Sequence, residues 1–566
     1  MTTSRYGLEG VDPEPLARPL HFYPSGRIAK NRFLKGPMSE NFASWSPYIP
    51  LERGIPTDET VSLYKRWGEG TNNFGVIVTG SIDIDVESMS EPGAMAIPLE
   101  AGFNGERFDR FKALAEGAKV DGSLILGQVN HPGRQVQYRL NPNALSASDV
   151  QLEPKMGMTF GKPHAATIEE ITGVVKGFAH AAEYLEKAGF DGIELHAGHG
   201  FLLSQFLSRT TNKRIDEYGP QTVESRMRII SDIAQAIKPR VSTRFILGAK
   251  LNSVEFQDGG ITPDEVREVC ETLERLGFDY VELSGGTNEK MGMTWEKEST
   301  RKREGFFLQW AEMIIKSLSS DRKMKTYISG GMRSAGAMVN ALKVVDGVAL
   351  GRPAAAEPDL PSKIIEGSVQ GAVKPVEAYE NDLPKTLAVA KVQISQIGRG
   401  YQPLNAGDIG LMGILEADLK LWYQSAVQDD DKVEYIPSAK FSGPQELYKP
   451  SVSESVPVRL NIPTQWYKEA YLTGSLCQKH IRNGIARLLS GITRKKDCSN
   501  IGVIGKRQVI RTSGRSDNNH VITLLSNTLN DAVAVIVQIQ ELSADNLSSP
   551  AIQQKKTTSI RASPGP

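Results

Sequence analysis

Cysteine is scarce, with three residues in a chain of 566: Cys270, Cys477 and Cys498. Three scattered thiols exclude a disulfide framework and a four-thiolate zinc site as the source of stability. An excess of either charge is also missing. Lysine plus arginine and aspartate plus glutamate both total 66, so no basic field points to nucleic acid or to an anionic membrane. Apolar runs of about 18 residues, the length that spans a bilayer, do not occur. The opening "MTTSRYGLEGVDPEPLARP" has no apolar signal segment, and the closing "SPGP" is no recognised address. These absences predict a soluble, cytoplasmic protein whose partner is a small molecule, with no nucleic acid and no membrane. A homodimer is left open.

What is present is a hydrophobic content of 40%, enough for a large core, organised in eight short runs. They are "RFLKGPM" (32–38), "GVIVTGSI" (75–82), "SLILGQVN" (123–130), "GIELHAG" (192–198), "FILGAKLN" (245–252), "YVELSGG" (280–286), "KTYISGG" (325–331) and "GVALGRP" (347–353). Most are rich in Val, Ile and Leu, as strands buried on both faces require. Between them lie stretches of helical apolar spacing such as "TIEEITGVVKGFAHAAEYLEKAG" and "TPDEVREVCETLERLG", several opening on a Thr, Ser or Asp cap. Two units match closely, "KAGFDGIELHAG" (187–198) and "RLGFDYVELSGG" (275–286), as when one strand–helix unit recurs around a closed sheet. The pattern predicts an α/β fold, a TIM (β/α)8 barrel, over an open doubly wound sheet of about five or six strands.

The expected organisation is an N-terminal segment at 1–30, a barrel with packed C-terminal helices at 31–425, and an extension at 426–566. That extension reads as a small appended domain or as partly disordered. Within it "VITLLSNTLNDAVAVIVQIQEL" suits one helix or a strand pair, "TRKKD" suits solvated surface, and "SSPAIQQKKTTSIRASPGP" has a disordered composition.

In a barrel of this kind, function gathers at the C-terminal ends of the strands. Those ends carry Pro37, Met38 and Ser39, then Gly80, Gln128, the pair His196 and His199, Lys250, the Ser284-Gly285-Gly286 turn, the Gly330-Gly331 pair, and Gly351-Arg352. Glycine backbone N–H groups beside an arginine fork, in the last two loops, suit a phosphate. Gln128, Ser39 and an inward Lys250 supply the amide, hydroxyl and cation that a flat heteroaromatic ring such as a flavin needs. The histidine pair lacks nearby acidic partners and the HExxH arrangement, so no metal is expected there. Two imidazoles polarising a substrate oxygen is the favoured role, with structural histidines as the competitor.

The blocks "GQVNHPGRQ" (127–135), "ELHAGHGFLLSQFLSRTTNKRIDEYG" (194–219), "SRMR" (225–228), "KLNSVEF" (250–256) and "LGRPAAAEPDLP" (350–361) resemble the signature segments of the old yellow enzyme family. The likeness is greatest to its fungal branch and runs from about Asn31 to Leu360. It implies an FMN-dependent oxidoreductase that takes hydride from NADH or NADPH. By the same resemblance Ser39, Gly80, Gln128 and Lys250 contact the isoalloxazine ring, Pro37 belongs to the cofactor site, Gly330, Gly331, Gly351 and Arg352 hold the phosphate, and His196 and His199 bind the substrate oxygen. The implied activity is reduction of an activated, carbonyl-conjugated alkene, tailoring a fungal secondary metabolite. Two departures stand out. Phe201 occupies the position where the family usually has a proton-donating tyrosine, and Gly219-Pro220 replaces the usual glycine pair after "DEY". The first raises the alternative of an FMN-binding protein, or an isomerase-like enzyme, with little reductase activity.

Overall fold

The computed structural model describes residues 4–7, 10–155, 157–290, 304, 307–380, 382–428 and 438–450, and three strands between 507 and 542. The eight expected runs are eight strands: β1 (Phe33–Lys35), β2 (Val76–Asp83), β3 (Leu124–Asn130), β4 (Gly192–Ala197), β5 (Ile246–Asn252), β6 (Tyr280–Ser284), β7 (Lys325–Ser329) and β8 (Gly347–Leu350). Every neighbouring pair is parallel, and β8 pairs with β1 to close the barrel. The first strand is the shortest because Pro37 follows Gly36 and has no N–H for a ladder.

Seven helices follow the first seven strands: α1 (Asp58–Gly68), α2 (Gly105–Ala118), α3 (Ile168–Lys187), α4 (Val223–Ile237), α5 (Pro263–Arg275), α6 (Leu308–Lys316) and α7 (Ala335–Ala341). Thr57, Thr167, Thr222 and Thr262 each close a reciprocal capping box at a helix start, satisfying backbone N–H groups that a helix leaves unpaired. After β8 come α8 (Leu383–Gly398) and α9 (Ile409–Gln428). The first compact unit extends to Tyr448, because Ala439 and Phe441 are buried with Tyr379, Val392 and Leu415.

Alternation sorts the strand residues. Phe33, Ile77, Ile125, Ile193, Leu247, Val281, Ile328 and Val348 face the helices, while Leu34, Val76, Val78, Leu124, Leu126, Ile246, Tyr280, Tyr327 and Ala349 fill the lower barrel. Large and small residues interlock there, as a barrel interior requires. A Cβ on Gly248 would lie 2.2 Å from the Tyr280 ring, and one on Gly347 would lie 2.3 Å from that of Tyr327. A hairpin of Leu20–Phe22 and Arg27–Ala29 adds Leu20, Phe22 and Ala29 to the same cluster, closing the lower mouth.

The repeated sequence unit has a mechanical meaning. Asp191, Asp279 and Asp346 precede β4, β6 and β8, and each accepts a backbone N–H from the preceding strand: Ile125 at 3.0 Å, Leu247 at 3.0 Å and Thr326 at 2.9 Å. Each aspartate returns its own N–H to the carbonyl of that same residue. Asp279 also accepts the Ser25 N–H at 2.9 Å, tying the hairpin to the barrel.

The second unit spans Lys449–Pro566. Its described strands, Arg507–Thr512, Asn519–Leu529 and Ala532–Leu542, form an antiparallel sheet in that order, so the "VITLLSNTLNDAVAVIVQIQEL" segment takes the strand-pair form. The "TRKKD" run and the final segment read as disordered lie outside the described residues. Among the described residues no helix is long and apolar enough to cross a membrane.

Candidate active site

The ends of β1, β5, β6, β7 and β8 open into one cavity with about 1380 Å³ of empty space, its mouth included. Of the residues singled out in the sequence, it brings together Pro37, His199, Lys250, Gly330, Gly331, Gly351 and Arg352. Ser39, Gly80, Gln128, His196 and Phe201 are not among its lining.

One end of the cavity is cationic. Gly330 and Gly331 have φ of 99° and 84°, left-handed values that glycine takes without strain, and they swing the chain from β7 towards Arg333. A Cβ on Gly351 would meet only the tip of Met38, at 4.0 Å. Arg352 donates to Thr386 Oγ1 at 2.7 Å. Its electrostatic neighbours are Arg333 and Tyr6 rather than a carboxylate, and burial first, then Arg333, hold its guanidinium down to about 10. Arg333 donates to the Tyr6 hydroxyl at 2.8 Å and lies 3.7 Å from Glu380. Two guanidiniums lining one end of a cavity form a donor set for an anion such as a phosphate. Arg333 and Tyr6 were not singled out from the sequence; the signal for Arg333 was its place just after the glycine pair.

The other end is Lys250. It projects inward from β5, is 5% exposed, and is ion-paired with Glu282 of β6. Glu282 is a fully buried residue that the sequence reading passed over. Gln128 is also inward, but its Nε2 donates to Glu194 Oε1 at 2.8 Å.

Ser39 is exposed, and its hydroxyl donates to Glu91. Gly80 gives its N–H to Glu40 Oε1 at 2.8 Å and to the Tyr64 hydroxyl at 2.9 Å, and a Cβ there would sit 2.3 Å from the Met38 carbonyl. Its glycine therefore serves the close approach of the β1 loop.

The histidine pair stands at the rim. His199 has φ of 56°, and its N–H is fixed by Asn252 Oδ1 at 2.9 Å. His196 Nε2 lies 3.2 Å from His199 Nδ1, and His199 Nε2 lies 2.9 Å from Ser284 Oγ. Burial first, then neighbouring positive charge, hold His196 well below the usual imidazole range and His199 at about 3. Both rings are therefore neutral near pH 7, with one N–H each. One of those hydrogens lies between the two rings, so the pair does not present two converging donors. His196 Nδ1 is buried without a partner among the described residues. An orphan acceptor there is cheaper than an orphan donor, which orders the chain as His196 to His199 to Ser284 and leaves the Ser284 hydroxyl to face the cavity. The Phe201 ring packs 4.3 Å from the His196 ring, centroid to centroid, and brings no hydroxyl.

A closed (β/α)8 barrel whose strand-end cavity sets an arginine pair opposite an inward lysine is consistent with a flavin-binding barrel enzyme. The chain belongs to the NADH:flavin oxidoreductase / NADH oxidase family, whose model matches residues 18–370. It is similar to the NADH-dependent flavin oxidoreductase nadA of Aspergillus parasiticus, 45% identical over 76% of this chain and 96% of that protein. Among solved structures, morphinone reductase superposes with a TM-score of 0.51 at 20% identity, covering 66% of this chain and 92% of that one. An old yellow enzyme homologue from Zymomonas mobilis gives 0.51 at 21%, covering 66% and 98%. The protein is thus an oxidoreductase with FMN as cofactor and NAD(H) as nucleotide partner. The residues fit that cofactor: Arg352 and Arg333 both line this end of the cavity, and Gly351 leaves open space beside them.

Proposed function

We propose that the chain reduces an activated, carbonyl-conjugated alkene at the expense of NADH, tailoring a small fungal metabolite. Bound FMN supplies the centre that accepts hydride from the nucleotide and passes it on. Arg352, Arg333 and the N–H groups of Gly330, Gly331 and Gly351 hold its phosphate; Pro37 and Lys250 border its ring. Ser39, Gly80 and Gln128 support that border through Glu91, Glu40 and Glu194 rather than from the cavity itself. The Ser284 hydroxyl, held by His199, donates to the substrate oxygen, and a ligand that parts the two imidazoles gains their N–H groups as well. Each such donor is worth about 2.7–4 kcal/mol as negative charge grows on that oxygen.

The single observation that supports this reading is one continuous cavity carrying Arg352 and Arg333 at one end and Lys250 with His199 at the other. The test is spectroscopic. Purified protein should bind FMN, bleach anaerobically with NADH, and recover colour when cyclohexenone is added. FMN binding without bleaching would overturn the reductase reading. A second reading, an isomerase-like enzyme with slow net reduction, is favoured by Phe201 alone; bleaching by NADH with no recovery on any enone would support it.

A further inference from the structure

We propose that Glu194 and Glu282 share one proton beneath Lys250, and that this shared proton sets how much of the lysine's charge reaches the cavity. The proposal rests on the flavin reading above and adds two residues that act through Lys250 rather than on substrate.

The geometry carries it. Strand alternation points Gln128, Glu194, Lys250 and Glu282 into one barrel layer, and the register sets Glu194 beside Gln128 and Lys250 beside Glu282. Glu194 and Glu282 are fully buried, and Lys250 nearly so. Glu194 Oε1 accepts from Gln128 at 2.8 Å, and Oε2 accepts from the Tyr280 hydroxyl at 2.9 Å. Tyr280 reaches there because Gly248 leaves room for its ring. Glu282 Oε1 takes the lysine, while Glu282 Oε2 is buried with no hydrogen-bond donor among the described residues. After burial itself, the Glu282 carboxylate is the neighbour that most disfavours a charge on Glu194.

With both acids ionised, this layer would hold two negative charges against one positive, with an acceptor left orphaned. Both are expensive in a dry interior. One proton on Glu194, donated to Glu282, removes the surplus charge and satisfies the orphan. Gln128 faces the pair from β3, Lys250 from β5, Tyr280 from β6 and Tyr327 from β7, with His196 above on β4 and His199 in the loop beyond; Lys35 of β1 acts through the wall. Among the described residues, Lys250 is thus the one ammonium inside this layer. Burial first, then the neighbouring Glu282, raise Glu194 to about 8. The sign follows: below that pH Glu194 is neutral and Lys250–Glu282 is a balanced pair. Above it, an added negative charge sits under the cavity and disfavours electrons on the flavin.

Two measurements separate this proposal from the flavin reading. In the FMN-free chain, the infrared difference spectrum of wild type minus Glu194→Gln should show a protonated-carboxyl stretch at pH 6 that shifts in D2O. Glu282→Gln should lose the same band, because the single acid left then ionises against Lys250. In the FMN-loaded chain, the midpoint potential should fall more steeply with pH above about 8 in wild type, and both single variants should lose that break. Glu194→Gln/Glu282→Gln together should raise the potential at pH 6, since Lys250 then has no counter-charge. No carboxyl band in wild type, or one that persists in both single variants, overturns the shared proton without touching the flavin reading. A band that behaves as described, beside identical pH profiles in wild type and Glu194→Gln, overturns the link to the cavity. Failure to load FMN overturns the flavin reading, while the band still decides the proton.

Discussion

Phe201 is a substitution whose cost is chemical and whose gain is packing. Its ring lies against His196, which helps keep that imidazole dry and neutral, but it offers nothing to protonate a substrate carbon. Phe201→Tyr adds a hydroxyl at nearly constant volume. It should speed the reoxidation of reduced enzyme by an enone by about 10²-fold or more, the usual worth of a positioned acid, while reduction by NADH stays unchanged. Stopped-flow measurement of the two half-reactions decides this, and no gain in the enone step would mean that another group already supplies the proton. At this scale the sequence was informative where a residue type has one use. Arg352 after a glycine and Lys250 after an inward run lie in the cavity as read. It was less informative where partners decide. Gln128 and Gly80 spend their groups on Glu194 and Glu40, and nothing in a linear reading shows which neighbour a side chain will choose. Glu194 and Glu282 did leave a mark, since they fall at the same place in the two matching units "GFDGIELHAG" and "GFDYVELSGG". Both were passed over as ordinary strand residues because a buried acid is unusual without its partner in view.

Elements were legible in proportion to their length and regularity. All eight barrel strands stand within a few residues of their apolar runs, and the threonines before α1, α3, α4 and α5 cap as such residues should. The hairpin at Leu20–Phe22 and Arg27–Ala29 escaped notice because three-residue strands have no measurable period. Its attachment gives an element-scale prediction. Asp279 takes the N–H groups of both Leu247 and Ser25, so Asp279→Ala would leave two buried donors unpaired. At about 1–3 kcal/mol for each, the barrel should lose about 2–6 kcal/mol. Asp279→Asn, which keeps one acceptor oxygen, should lose less. Urea unfolding of the two variants checks the order, and equal losses would show that the aspartate's acceptors are not what matters.

For the whole molecule, the cavity draws its lining from Tyr6 to Ala406, entirely within the unit that ends at Tyr448. That end is tied down: the Tyr448 N–H donates to the Gly400 carbonyl at 2.8 Å, and its hydroxyl donates to Glu69 at 2.8 Å. A chain stopped after Tyr448 should therefore fold, bind FMN one to one and react with NADH as the full chain does. Flavin fluorescence during titration checks the first part and anaerobic bleaching the second; a folded short chain that fails to take FMN would place part of the site beyond 448. The boundary expected near 425 reflects where helical periodicity stops. Residues 438–448 carry no period, yet Phe441 among them is buried.

Among the described residues, the hairpin also stops the barrel at its lower end. Leu20, Phe22 and Ala29 cover the lower mouth, and the layer of Leu34, Val78, Leu126, Tyr280 and Tyr327 above them is fully buried. Any ion or water that reaches Lys250 and the acids beside it has to arrive from the cofactor side. Once a flat ring lies across that side, traffic to the layer is throttled, and the charge state present when the cofactor docks becomes slow to change. The barrel would then carry a kinetic memory of the pH at which it was loaded, held by the stopper at its far end.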